Sequence, residues 1–353
     1  MEMKDQRFGI EIEFTGITRA EAAGVAARYF GTRASDSRHY SRDAYNVLDS
    51  QNRTWRFISD GSITPQRKQG SQRIDAGNEY KVELVSPICR YDDIPVIQEL
   101  VRKLRETGAF SNNSCGIHIH VDASAFEAVH MKNLINIMAS KEDLIYKALR
   151  VQVEREYYCQ KADPRFIDEI NRVKPRSRDQ VMRIWNGGGR APEQDRYHCL
   201  NLASIREHGT VEFRLFNSEI QHAGKIKAYI QLSLAITAQA LNQTSASRVK
   251  TQTSNEKYTF RTWLLRLGMI GDEFKTARTH LLEHLDGCIA WKDPAQAEAQ
   301  KERLRQKREK ELQQRQELAA REVLAAQDGP VPQEGPVPEE PEAAEQPVMR
   351  MSM

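Results

Sequence analysis

Phe8-Gly9-Ile10-Glu11-Ile12-Glu13-Phe14, Cys115-Gly116-Ile117-His118-Ile119-His120-Val121-Asp122 and Thr210-Val211-Glu212-Phe213-Arg214-Leu215-Phe216 share one pattern. Each places ionisable residues at i and i+2 in an otherwise apolar run. Successive side chains of a β-strand point to opposite faces. Glu11 and Glu13 therefore share one face, and Ile10, Ile12 and Phe14 the other. The same split sets His118, His120 and Asp122 against Ile117, Ile119 and Val121, and Glu212 and Arg214 against Val211, Phe213 and Leu215. One such strand is an ordinary surface strand. Three predict a sheet with one face in a core and the other lined with carboxylate, imidazole and guanidinium groups. That inventory suits divalent metal and phosphate.

Outward from these strands, Thr18 and Glu21 have the spacing of a capping box, and the helix they open ends at Gly31. Trp55 to Ile58 reads as a strand closing on the turn Ser59-Asp60-Gly61-Ser62, and Glu79 to Ser86 as another strand stopped by Pro87. Asp93 to Thr107 reads as an amphipathic helix, helices follow from about Ser124 to Cys159, and Pro164 to Ile184 reads as helical but interrupted. Asn186-Gly187-Gly188-Gly189-Arg190 reads as a flexible loop without Walker spacing. A hairpin is expected around Glu207-His208-Gly209, then an apolar helix from Ala223 to Leu241 and further helices to Leu285. Strands are often adjacent and regular βαβ alternation is missing, so the expected class is α+β with a largely antiparallel sheet and packed helices.

The chain has 353 residues, 29% of them charged, and a formal net charge of only +3, so nothing demands nucleic acid or an anionic membrane. Its five cysteines are scattered and include no CxxC, which fits reduced thiols in a cytoplasmic protein. The N-terminal stretch has no apolar segment of the signal-peptide kind, and no run is long enough to span a membrane. Past Trp291 the composition turns to Ala, Glu, Lys, Arg and Gln, as in a charged solvated helix. Residues 329–353 are rich in Pro and Glu and are expected to be disordered.

Each candidate site residue admits two readings on its own. Glu11 and Glu13 fit a divalent ion or a solvent-facing strand, and Glu83, with Glu79 behind it, extends the carboxylates or pairs with Lys81. His118 and His120 fit metal ligands or satisfied polar residues. Glu212 and Arg214 fit a ligand beside a phosphate fork or an internal ion pair. Arg196 fits a second phosphate contact or an exposed loop arginine. Asp60 positions a substrate or makes its turn, and Asp122 reads as a cap toward Ser124. The apparent His118-x-His120-x-Asp122 motif keeps a metal-dependent hydrolase open, and the long C-terminal segment keeps a catalytically degenerate binding protein open.

Taken in order, Gly9-x-Glu11-x-Glu13, Asp60-Gly61-Ser62, Glu83-Leu84-Val85-Ser86-Pro87, Cys115-Gly116-x-His118-x-His120, Arg196-Tyr197, Asn201-Leu202 and Glu212-Phe213-Arg214 form a specific set. Over roughly Arg7 to Leu285 the chain resembles the putative amidoligase family, which is grouped with the glutamine synthetase and glutamate–cysteine ligase-like carboxylate–amine ligases. The resemblance implies a catalytic domain over 1–290 with a glutamine-synthetase-like sheet, a charged helix over 291–328 and the tail over 329–353. It implies ATP with Mg²⁺ or Mn²⁺ as cofactors, and metal ligation by Glu11, Glu13, Glu83, His118 and Glu212. Arg214 and Arg196 match groups that meet ATP phosphates, with His120 beside them, and Asp60 joins the catalytic set. The implied reaction activates a carboxylate as an acyl phosphate, which an amine then attacks. Its substrates are a small-molecule or peptide carboxylate and an amine. The tail offers a tether for a protein partner, and the oligomeric state, a homo-oligomer included, stays open.

Overall fold

In a computed structural model, which describes residues 1–36, 44–187, 196–291 and 293–327, the three charged strands lie side by side. The elements run β1 (Phe8–Phe14), α1 (Arg19–Phe30), β2 (Ala34–Asp36), β3 (Tyr45–Leu48), β4 (Thr54–Ile58), β5 (Gln66–Gln69), β6 (Gln72–Asp75) and β7 (Val82–Val85). Next come α2 (Ile94–Glu106), β8 (Gly116–Asp122), α3 (Ala128–Leu149), α4 (Val153–Glu156), α5 (Pro164–Val173) and α6 (Arg178–Trp185). Then follow β9 (Leu200–Asn201), α7 (Ser204–His208), β10 (Thr210–Asn217), α8 (Ala223–Asn242), α9 (Glu256–Arg266), α10 (Lys275–Leu282) and α11 (Pro294–Gln327). Eight strands form one sheet in the order β2-β3-β4-β7-β1-β8-β10-β9, and β5 and β6 pair separately. Every strand pairing among the described residues is antiparallel. The architecture is thus mixed helix and antiparallel sheet.

The apolar set of each strand faces one way. Phe8, Ile10, Ile12 and Phe14 of β1 are buried with Ile117, Ile119 and Val121 of β8, Leu84 of β7 and Trp55 and Phe57 of β4. Helices cover this face: α1 packs on β3 and β4, α2 on α1 and α8, α8 on β8, and α3 on α8 and β10. The Thr18–Glu21 capping box forms as expected, and Gly31 closes α1 in the left-handed conformation that glycine adopts without strain.

Several expectations change in detail. The strand expected over Glu79 to Ser86 is only Val82–Val85, because a 3-10 turn over Asn78–Tyr80 precedes it and leaves Glu79 exposed. The hairpin closes through α7, whose last turn ends at Gly209 with φ +71°, so its β9 arm is only two residues long. In β10, Phe213 pairs with Ile119 and Phe216 with Ile117, so Arg214 and Leu215 together face His118. This bulge shifts the phase of the strand. Strict alternation puts Phe216 on the polar face, but the bulge returns it to the core, where it stacks on Tyr229 of α8 at 4.6 Å.

The chain divides into two compact units, Met1–Pro294 and Ala295–Met353. In the second, the described side chains of α11 are exposed and pair along the helix, Glu298 with Lys301 and Glu302 with Arg305. Gly188 to Arg190 of the glycine-rich loop, and the tail over 329–353, lie outside the described residues.

Candidate active site

Register brings the polar residues together. Glu11 on β1 lies opposite His118 on β8, and Glu13 opposite Glu83 on β7. Glu212 on β10 lies opposite His120 on one side and Asn201 of β9 on the other. Directly opposed residues share a face. The face away from the helices therefore carries Glu11, Glu13, Glu83, His118, His120 and Glu212 across four neighbouring strands.

His118 Nδ1 lies 3.0 Å from Glu11 Oε2 and 3.6 Å from Glu212 Oε1, while its Nε2 is 4.0 Å from Glu13 Oε1. His120 is held through Nδ1, 3.0 Å from the Thr210 hydroxyl and 3.2 Å from that of Ser204. Its buried Nε2 makes no hydrogen bond and faces Glu11 Oε1 at 3.4 Å and Glu212 Oε1 at 3.8 Å. An imidazole fixed at one nitrogen, with the other aimed at carboxylates, is oriented as metal-ligating histidines are. Glu212 also accepts from Asn201 Nδ2 at 2.6 Å and pairs with Arg214 Nη1 at 2.5 Å.

The electrostatics are uneven. Burial opposes the charge on Glu11, but His118, hydrogen-bonded to it, and the nearby His120 outweigh it and hold its carboxyl well below the ordinary range. Burial likewise opposes Glu212, where Arg214 and then the two histidines prevail and the carboxyl is held low. Glu13 is pushed up by burial. Glu83 is pushed well up, first by burial and then by the charges of Glu11, Glu13 and Asp60. Both are carboxylates short of positive charge.

Three donor sets emerge, each with atoms within 4.8 Å of one another: Glu11, Glu83 and His118; Glu11, His120 and Glu212; and Glu13, Asp60 and Glu83. Glu11 and Glu83 each belong to two sets, so neighbouring ions would share them. The unbonded His120 Nε2 and the surplus of carboxylates fit hard divalent cations.

Two cavities flank the cluster. One of about 550 Å³ is bordered by Gly9, Glu11, Val85, Pro87, His120 and Arg178. The other, about 280 Å³, is bordered by Glu13, Asp60, His118, Arg196, Tyr197 and Arg214. A larger cavity of about 990 Å³, bordered by Lys4, Asn242 and Trp263, holds none of these residues.

The structure thus gathers Glu11, Glu13, Glu83, His118, His120, Glu212 and Arg214, with Asp60 at one end. Asp60 also makes its turn, accepting from the Ser62 backbone at 2.6 Å. Arg196 stands exposed at the mouth of the smaller cavity, its guanidinium 5.1 Å above the Tyr197 ring. Glu79 belongs to none of the three sets. Asp122 caps toward Ser124 N at 2.9 Å and pairs with Arg7 at 2.6 Å. Buried Cys115 is pushed up to about 12 by its burial, which does not suit a nucleophile.

Sequence reading gave no role to Arg155 or to the carboxamide of Asn201. The space beside Gly116 is filled by the Arg155 guanidinium. A β-carbon on Gly116 would lie 2.2 Å from Arg155 Nη2.

Residues 4–237 match the model of a family described as putative amidoligase enzyme. The match covers more than half of the chain and every residue of the cluster, and the chain belongs to this family. It ends inside α8, short of the Leu285 limit expected above. Among solved structures, the chain is similar to a bifunctional glutathione synthetase from Pasteurella multocida, at 11% identity and a TM-score of 0.34. That similarity covers 80% of this chain and 47% of the synthetase, so the chain spans about half the length of that relative. No curated protein matches. Family membership supports an enzyme that joins a carboxylate to an amine. Among the described residues, no helix is long and apolar enough to cross a membrane.

Proposed function

We propose that this chain, a member of the putative amidoligase family, is an ATP-dependent carboxylate–amine ligase of the glutamine-synthetase-like kind, working in the cytoplasm on amino acid, peptide or protein substrates. One observation carries the reading: three donor sets joined through Glu11 and Glu83 stand beside the Glu212–Arg214 pair.

In this reading Glu11, Glu13, Glu83 and Glu212, with His118 and His120, hold Mg²⁺ or Mn²⁺. Such ions neutralise phosphate charge and fix in-line geometry. Arg214 turns its fork from Glu212 to the transferring phosphoryl group, stabilising charge that grows in the transition state. Arg196, at the cavity mouth, supplies the second guanidinium. The substrate carboxylate oxygen takes the γ-phosphoryl group and ADP leaves. The amine nitrogen then bonds to the acyl carbon, inorganic phosphate departs, and the amine loses a proton. In this reading Asp60, which neighbours Glu13 and Glu83, accepts that proton. The two cavities would give the reactants separate approaches, one bordered by Glu11 and the other by Glu13 and Asp60.

Hydroxylamine tests this directly, because it stands in for the amine and converts an acyl phosphate to a coloured hydroxamate. Purified protein with Mg²⁺, ATP and a panel of amino acids and peptides is expected to yield hydroxamate and ADP in equal amounts with at least one acid. ADP release that no acid or amine stimulates would count against a ligase.

A further inference from the structure

We propose that Arg155 is a positioning residue: from α4 it holds the bulged segment of β10 and thereby sets the Arg214 fork and the Glu13 carboxylate. The inference rests on the ligase reading only for its nucleotide measurement.

Arg155 is 3% exposed, an unusual setting for a guanidinium. Its Nη1 donates to the Phe216 carbonyl at 2.6 Å and its Nη2 to the Arg214 carbonyl at 2.9 Å. A bulge disrupts the local ladder and leaves backbone groups in need of partners. Two carbonyls two residues apart, on the bulged side, match a planar fork and not a single ammonium. The same segment reaches the other end of Arg214, whose Nε lies 3.4 Å from the Tyr158 carbonyl. Arg214 N in turn donates to the Cys199 carbonyl at 2.9 Å. Arg214 is therefore held at its backbone by α4 and at its Nε by the turn after it.

The second link runs through Gly116. Its N–H donates to Glu13 Oε2, and the space where a β-carbon would stand is taken by Arg155 Nη2. One buried cation thus registers β10, which carries Arg214, against the start of β8, which anchors Glu13. It also borders the smaller cavity together with both residues. A group that only filled the bulge would not need to meet Gly116.

The test uses the full chain and the arginine Nε–H signals in its nitrogen–proton spectrum, with Arg214→Lys to assign Arg214. Arg53, whose Nε is bonded to Asp49 at 2.8 Å, provides a control of integrity. Arg155→Lys keeps the charge but loses the fork. Gly116→Ala keeps Arg155 but displaces it, and carries the comparison if Arg155→Lys does not fold. Both are expected to move the Arg214 signal while leaving that of Arg53 in place. Both should also weaken Mg²⁺–ATP binding about 10- to 100-fold, the scale of losing a partner that orients metal ligands. An unmoved Arg214 signal in a folded variant would overturn the proposal and leave Arg155 as a filler of the bulge. Should the wild-type chain not bind Mg²⁺–ATP, the ligase reading fails, and the Arg214 signal alone decides the role of Arg155.

Discussion

Around Arg53, two carboxylates and one guanidinium form a closed set. Asp49 accepts from the Gln51 and Arg53 backbones at 2.9 Å and from Arg53 Nε at 2.8 Å, and Asp93 takes both Nη groups at 2.8 and 2.9 Å. Burial opposes these charges, the hydrogen bonds outweigh it, and both carboxyls are held low. Around Glu11, the same kinds of group lie on the open face of the sheet. There Glu13 and Glu83 are pushed up and His120 Nε2 has no hydrogen-bond partner. The Arg53 set is complete as it stands and serves the fold. The Glu11 set is incomplete without added positive charge, and that difference separates a structural ion cluster from a candidate catalytic one.

The largest expected effect falls on the incomplete set. Glu13→Gln and Arg214→Ala should each lower ligase turnover by about 10²–10³-fold or more, with far-ultraviolet circular dichroism unchanged. Wild-type turnover in either variant would remove that residue from the site. On the complete set the loss should be in stability. Arg53→Met strands two carboxylates and is expected to cost about 3 kcal/mol, the low end for breaking a buried pair, because Arg53 is partly exposed. Denaturant unfolding measures it, and Mg²⁺ affinity should stay unchanged. Glu83→Gln should do the reverse. It relieves repulsion, so the metal-free protein should gain about 0.5–2 kcal/mol while losing Mg²⁺ binding. A loss of stability comparable to that of Arg53→Met would erase the contrast.

The pH response should differ in the same way. Glu13 and Glu83 favour their neutral forms in the folded chain. Their contribution to stability is full at low pH and fades as pH rises through their raised values. Glu11 and Glu212, held low, contribute above the ordinary carboxylate range and lose that contribution only as pH falls. Cation binding needs all four ionised and releases protons. The rise in melting temperature on adding Mg²⁺ should therefore grow from mildly acidic to mildly alkaline pH. A rise independent of pH would contradict the raised pair. The smallest effect belongs to Asp122→Asn, which breaks only a partly exposed pair with Arg7. It should cost about 0.5 kcal/mol and leave Mg²⁺ binding intact. Lost metal binding would instead favour a hydrolase built on the His118-x-His120-x-Asp122 motif.

The alternation of charge and apolar residues made β1, β8 and most of β10 legible, because period two fixes which side chains share a face. It also made the grouping of Glu11, Glu13, His118, His120 and Glu212 legible. The Thr18–Glu21 box and Gly31 were readable because capping is local. Arg155 was not, since it sits in a stretch that reads as helix and acts on a strand about sixty residues away. One clue was present: Phe216 falls on the polar face under strict alternation, which signals a bulge and hence carbonyls in search of a donor. Glu79 was misplaced because alternation continued on paper through Asn78–Tyr80, where the backbone turns instead.

The most direct measurement is thermal unfolding of metal-stripped protein with no addition, with Mg²⁺, with ATP and with both, repeated on Glu11→Gln/Glu13→Gln. A ligand at 100 times its dissociation constant stabilises by about 2.7 kcal/mol, which is a shift of several degrees for a chain of this size. The expected result is a rise that needs Mg²⁺ and ATP together and vanishes in the double variant. A rise with zinc alone, or none with nucleotide, would contradict a nucleotide site on this face of the sheet.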